Sequence, residues 1–316
     1  MSEPLRDLCK GRWREILPRL GIPSASLTGK HMACPACGGD DRWRFTDKNR
    51  VGMSICNQCG AMDGFSLLMK TTGWPFAKLA DEVERMLGDL PAPQADRKKL
   101  SADELRRMRR ELWKASVPIS SHDPVDQYLR ARGIEVTDDL VRTGRLRYVA
   151  DCRYNGGERY PAMIALVSDE KGNPVQIHRT YLSRMKVGLA EVDNPRRMMP
   201  GSLPHGSAIR LFDIAGAGKS LIVAEGIETA LSAGKILGGP VWSCVDAAHL
   251  MSWNPPPMVK DIVVAGDNDQ SFTGQAAAYA LAQRLTCRNK CRVEVRLPGA
   301  QGTDWNDVAR QKRVDA

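Results

Sequence analysis

Three acidic residues stand where this chain would hold a hard cation. Glu225 directly follows the apolar run LIVA and precedes Gly226, and Asp267 and Asp269 follow DIVVAG in the same manner. Each apolar run reads as a strand, so the carboxylates sit at strand carboxyl ends. Positions two apart in near-extended backbone face the same side, so Asp267 and Asp269 can reach one cation while Asn268 points elsewhere. Carboxylates gathered at adjoining strand ends repel one another, and bound magnesium or manganese removes that cost while supplying phosphoryl chemistry. A further acidic element, GTDWND, opens the last helix. There Asp304 fits either a further metal ligand or a helix cap, Asp307 fits a first-turn residue, and Glu228 reads most simply as another first-turn residue.

A second chemistry is carried by Cys34-x2-Cys37 and Cys56-x2-Cys59, two pairs separated by eighteen residues. That spacing predicts a four-cysteine zinc site, closed to a fifth ligand and therefore structural. His31 lies near the first pair, yet four thiolates already complete a tetrahedral shell, so it reads as a surface residue. Between the pairs runs DDRWRF, a strand pattern that turns Trp43 and Phe45 one way and Arg42 and Arg44 the other. The aromatics are expected beneath the zinc site. For the two arginines, contact with nucleic-acid phosphates and simple solvation both remain open. The other five cysteines, Cys9, Cys152, Cys244, Cys287 and Cys291, read as incidental or buried thiols.

These groups need elements to position them. Residues 4 to 20 carry apolar side chains at helical spacing until Gly21 and Pro23, predicting one amphipathic helix. Phe65 to Leu87 predicts two helices broken at Gly73-Trp74-Pro75, which makes residues 1–90 a small metal-organised domain. LPAPQADRKKL reads as a linker, and SADELRRMRRELWKAS as a very basic helix opened by Ser101 and Glu104 as a capping box, its charge run read as a solvated face ahead of the alternative of DNA contact. Together these fill residues 91–120. From 121 to 215 short strands alternate with turns amid many arginines, a basic α+β subdomain. From 216 to 316 strands and helices alternate, predicting a parallel sheet covered on both faces, with the working residues beyond the strands' carboxyl ends. The fold class is α/β: a β-rich zinc ribbon with flanking helices, then a core built on a central parallel sheet. GAGKS at 216 to 220 is not a phosphate loop, since the template needs glycine where Asp213 stands and a strand rather than a helix follows.

The 316 residues carry 46 Lys and Arg against 37 Asp and Glu, a formal charge of +9 that favours a polyanionic partner. Length excludes a peptide hormone or a single small module, and a charged N-terminus without a long apolar stretch excludes a membrane protein. The chain reads as soluble and cytoplasmic, where a disulfide framework is not expected.

The run CPACGGDDRWRFTDKNRVGMSICNQCGAMDGFSLL resembles the N-terminal zinc ribbon of phage and plasmid primases of the satellite-phage alpha-protein type. LIVAEGIETALSA, VVAGDNDQSFTGQAAA and GTDWNDVA resemble the Toprim domain of the same group, and PVQIHRTYL, NPRRMMPG and AIRLF resemble its middle segment more loosely. The resemblance implies a zinc ribbon joined to a Toprim catalytic core that makes short primers on single-stranded DNA from nucleoside triphosphates. It implies Glu225 as proton acceptor, with Asp267, Asp269 and Asp304 at the family's magnesium positions. Arg179, Arg196 and Arg197 of the middle subdomain would steer phosphates. The alpha-type proteins also carry a helicase domain, and the lack of a Walker motif here implies a separate helicase or independent action. Two other functions fit the same residues: a Toprim nuclease, which needs only water in place of the hydroxyl, and a non-catalytic single-stranded DNA-binding accessory protein. A topoisomerase fragment is disfavoured, because that reaction needs a nucleophilic tyrosine on additional domains.

Overall fold

The computed structural model describes residues 4–88, 90, 100–155, 157–214 and 220–314. Most of the linker, 91–99, and residues 216–219 of the GAGKS stretch lie outside the described residues. The chain divides into two compact units, Met1–Lys99 and Leu100–Ala316.

In the first unit the periodic segment near the start forms two helices, α1 (Leu5–Leu8) and α2 (Trp13–Arg19), where the sequence pattern predicts one. The reason is local: Gly11 takes φ +78°, in the left-handed region, and turns the chain between them. An antiparallel sheet follows in chain order, β1 (Met32–Cys34), β2 (Gly38–Phe45), β3 (Ser54–Cys56) and β4 (Gly60–Met62). Helix α3 (Gly64–Thr72) starts where Asp63 accepts a hydrogen bond from the Ser66 amide and ends at Gly73, and α4 (Phe76–Leu87) follows Pro75. β2 alternates as its pattern predicts: Trp43 and Phe45 are buried, Arg42 is half-buried and Arg44 exposed. The two aromatics join Ile16, Leu17, Phe65 and Leu68 in one core. Truncating Trp43 there would cost about 3–5 kcal/mol.

The second unit opens with α5 (Ala102–Lys114), capped reciprocally by Ser101 and Glu104. β5 (Val117–Pro118), α6 (Pro124–Ala131), α7 (Asp138–Thr143), β6 (Leu146–Arg153), β7 (Arg159–Ser168), β8 (Pro174–Tyr181) and β9 (Arg196–Met198) come next. The five strands form an antiparallel meander in chain order. Then β10 (Ser220–Ala224), α8 (Ile227–Leu237), β11 (Val241–Ser243), α9 (Ala247–Ser252), β12 (Asp261–Ala265), α10 (Thr273–Asn289), β13 (Arg292–Arg296) and α11 (Trp305–Val314) alternate as expected. Their strands pair in parallel in the order β11-β10-β12-β13, so β10 and β12 are central.

Strand periodicity sorts the packing. Leu221, Val223, Ile262 and Val264 face Leu250 of α9 and Leu281 of α10. Ile222, Ala224 and Ala265 face Ala230 of α8, Trp305 of α11 and the Met163, Ala165 and Val167 row of β7. The antiparallel sheet therefore packs one face toward the parallel sheet. Its other face, with Ile164, Ile177 and Tyr181, is covered by Met108, Leu112 and Trp113 of α5.

Candidate metal centres

The first centre is set by two matching knuckles. Cys34 ends β1 and pairs across the turn with Gly38, and Cys56 ends β3 and pairs with Gly60, so each CxxC occupies a hairpin turn. Both closing glycines have positive φ, +71° and +78°, which side-chain-bearing residues rarely adopt. The four Sγ atoms lie within 4.8 Å of one another. Cys37 and Cys56 sulfurs are 3.7 Å apart, matching the ~3.8 Å expected of thiolates on one tetrahedral zinc with ~2.3 Å bonds. Burial raises the Cys56 pKa, but the Cys59 and Gln58 amides outweigh it and bring it down to about 7. The donor set, geometry and preset turns fit zinc. Arg42 and Arg44 project from the opposite side of β2 to the buried aromatics.

The second centre lies at the carboxyl ends of β10 and β12. Ala224 pairs with Ala265, so Glu225 and the Gly266-Asp267 step leave the sheet side by side. Glu225, Asp267 and Asp304 line one cleft of about 330 Å³ with Arg132, Arg196 and His178. Burial, then the charges of Asp269 and Asp246, raises the Glu225 pKa to about 7 against the opposing Ala247 amide. Burial, then Glu225, Asp304, Asp269 and Asp307, raises that of Asp267 to about 7. Asp267 Oδ1 is buried without a hydrogen-bond partner. Asp269 does not line the cleft, but its charge is close enough to raise the pKa of both Glu225 and Asp267. Orphaned oxygen, hard donors and mutual repulsion fit magnesium or manganese: Asp267 would hold the ion from within the cleft, with Asp304 beside it and Asp269 at its margin.

The supporting bonds explain how this loop is held. The Gly274 amide donates to Asp269 Oδ2 at 2.9 Å, and a Cβ on Gly274 would lie 2.8 Å from the Asp267 carbonyl oxygen. Only glycine lets α10 start so close. Asn268 does point elsewhere: its Nδ2 donates to the Pro298 carbonyl at 2.9 Å, and its amide donates to the Thr303 carbonyl at 3.0 Å. These bonds tie the loop after β12 to the segment that carries Asp304. Asp304 Oδ1 accepts from the Asp307 amide and Asp307 Oδ2 from the Asp304 amide, at 2.8 and 3.2 Å. Asp304 thus caps α11 with one oxygen and still lines the cleft.

Arg196 reaches the cleft; Arg179 and Arg197 do not line it. Arg196 and Arg197 alternate along β9, so one faces the parallel sheet and the other the far side. Arg197 lies over the Tyr154 ring and donates to Asn155 Oδ1, while Arg179 lies over Tyr181 and donates to the Arg153 and Met198 carbonyls.

Sequence reasoning misses three groups here. Glu228 is a first-turn residue of α8 as expected, but it is buried, and its Oε1 accepts from the Tyr128 hydroxyl at 2.5 Å and from Arg196 at 3.1 Å. The signal was present in IETALSA, since a helix apolar all round is buried and its lone acid must be paired. Asp246 caps α9 and adds charge beside Glu225, following Val245, whose φ of +76° is unusual for a β-branched residue and costs about 1–3 kcal/mol. His178 has an unpartnered, buried Nδ1, and burial lowers its pKa to about 4, so it stands neutral.

Residues 29–65 match the family model described as the zinc-binding domain of primase-helicase, and residues 220–315 match that of the Toprim domain. The chain joins a primase-type zinc ribbon to a Toprim domain. Residues 103–211, holding the antiparallel sheet, match a model described as a domain of unknown function. Among solved structures the chain is similar to the primase fragment of the bacteriophage T7 primase-helicase protein, at 14% identity over 90% of this chain and 98% of that one, TM-score 0.42. It is also similar to the zinc-binding and RNA polymerase domains of the Aquifex aeolicus primase, at 14% identity over 100% and 84%, TM-score 0.41. The E. coli primase catalytic core matches at 13% identity over 66% and 74%, TM-score 0.43. Within the Toprim domain the cleft carboxylates come from β10, β12 and the start of α11. No described helix is long and apolar enough to cross a membrane.

Proposed function

We propose that the chain is a DNA primase of phage or plasmid replication, making short primers de novo on single-stranded DNA by metal-dependent nucleotidyl transfer. The observation that carries this reading is the pair Glu225 and Asp267 at the ends of β10 and β12, both with pKa raised to about 7, and with Asp267 Oδ1 unpartnered. Magnesium held by Asp267 and Asp269 would neutralise charge developing on the transferring phosphoryl group. Glu225, with a proton affinity near neutrality, accepts the proton of the attacking 3′-hydroxyl. Arg196 has one nitrogen held by Glu228 and Tyr128, which leaves its other N–H groups to orient the nucleotide's phosphates from the opposite wall, with Arg132 beside it. A role in DNA binding alone leaves the clustered acids unexplained, because without metal they repel the strand.

The test is product length on a denaturing gel, from single-stranded DNA, labelled nucleotides and magnesium or manganese. Wild type should yield short labelled oligomers. Asp267→Ala should lose them on the order of a hundredfold or more, the scale of losing one group that stabilises developing charge. A folded Asp267→Ala protein with full synthesis would overturn the reading, and template degraded without added nucleotides would replace it with a nuclease.

A further inference from the structure

A groove of about 860 Å³ lies between α5 and strands β7 and β8, on the face of the antiparallel sheet opposite the parallel sheet. Four cations line it, Arg106, Arg109, Arg110 and Lys114, and no acidic side chain does. Its floor is aliphatic, including Leu166, Val175 and Ile177. Arg106, Arg110 and Lys114 follow one another at four-residue steps along one side of the helix, ~6 Å apart in rise. That interval is close to the one at which an extended nucleic-acid strand presents its phosphates.

We propose that this groove seats single-stranded DNA, apart from the carboxylate cleft. The inference rests on the primase reading for the identity of the strand, and it adds where that strand is held. Charge complementarity selects the occupant: a row of cations along a groove that no acid lines suits a chain bearing one charge per unit. Arg106 contacts Asp103, and that pair is exposed, so it exchanges readily for phosphate. Burial and neighbouring Arg106 already hold Arg109 below the usual guanidinium range, a cost that an anion between them relieves. The one aromatic residue lining the groove, Trp113, is covered by the Arg147 guanidinium 5.1 Å from its ring centroid. Bases therefore lie over aliphatic side chains rather than stack on a ring, and binding is indifferent to sequence. The very basic helix is thus more than a solvated surface.

The experiment measures anisotropy of a short fluorescein-labelled oligothymidylate with the full chain over a range of salt concentrations. Arg106→Ala combined with Arg110→Ala, both away from the core, should leave the melting temperature unchanged and weaken binding about tenfold or more. The slope of log affinity against log salt should fall by roughly 1.4, the loss of two phosphate contacts on a single strand. A photocrosslinker introduced at Ser202, on the groove's rim, should capture the oligonucleotide. Unchanged affinity and slope with no crosslink would overturn the proposal. So would polyglutamate displacing the oligonucleotide at equal charge concentration, which would assign the groove to an acidic protein segment. Variants that lose binding while wild type makes no primers would leave the seat standing and remove the primase reading. Primers made by wild type, with binding unaffected in the variants, would do the reverse.

Discussion

The two candidate metal centres meet the same electrostatic difficulty in opposite ways. In the zinc ribbon, two hairpin turns bring four sulfurs within 4.8 Å before any ion arrives. In the Toprim domain the carboxylates line a cleft but do not converge to that degree: among the described residues, the cysteines alone form so tight a group. The closed site has its turns fixed by Gly38 and Gly60 and buries two of its ligands. The open site leaves Asp267 Oδ1 unpartnered and keeps two acids half-ready to bind protons. The zinc site is thus prepared by backbone, whereas the carboxylate cleft would be prepared for a cation by repulsion that the cation relieves.

The sharpest break of this comparison comes from the closed site. Cys37→Ser should abolish zinc binding and unfold the first unit, since structural zinc in peptides of this kind contributes about 10–16 kcal/mol. Zinc content and limited proteolysis would read this directly. Primer initiation should be lost while extension of a supplied primer survives. Loss of both activities together would place the ribbon in the catalytic unit and end the division of labour between the centres.

How far the sequence spoke differs between the centres for the same reason. The cysteines, the strand-end acids and the Ser101 and Glu104 cap are local patterns, legible in a few residues because hairpin turns and strand ends are local events. The Tyr128, Arg196 and Glu228 cluster spans separations of 100, 68 and 32 residues. No periodicity brings those together; only the packing of α6, β9 and α8 does. Asp246 gives no local signal because it follows Val245, whose positive φ no turn signature marks. The split of the first helix turns on Gly11, which a periodicity count passes over when apolar residues continue on both sides.

A medium-sized effect should come from the open site through pH. Asp267 and Glu225 titrate near 7 in the folded protein against ordinary values of 3.8 and 4.5. Between about pH 4 and pH 7 the metal-free native state therefore holds protons that the unfolded chain has lost. Its stability falls as pH rises through that window and is lowest above it. Magnesium binds the deprotonated form, so it should raise the melting temperature more at pH 8 than at pH 6, by about 5–10 °C. Asp267→Asn should raise the metal-free melting temperature at pH 8 and remove most of the magnesium gain. An equal gain at both pH values would mean that repulsion does not prepare the site. The zinc ribbon makes no such demand in this range once its thiolates are bound.

The smallest expected effect tests whether the open cleft is held by its opposite wall. Burial first, and then the Glu228 charge, push the Tyr128 phenol above its ordinary pKa, so it stays protonated and donates to Glu228. The same oxygen accepts from Arg196 at 3.1 Å. Tyr128→Phe keeps the ring in its packing but removes one donor from a buried carboxylate and one acceptor from the guanidinium. The cost should be about 1–2 kcal/mol, or roughly 2–8 °C in melting temperature for a unit of this size. If Tyr128 acts by holding Arg196 toward the nucleotide, KM for nucleoside triphosphate should rise several-fold with kcat nearly unchanged. Glu228→Gln, which keeps the shape and loses the charge, should move KM in the same direction. A fall in kcat alone would instead place this cluster among the groups that meet the reacting atoms, and the contrast between a fixed zinc site and a cleft tuned from both walls would have to be redrawn.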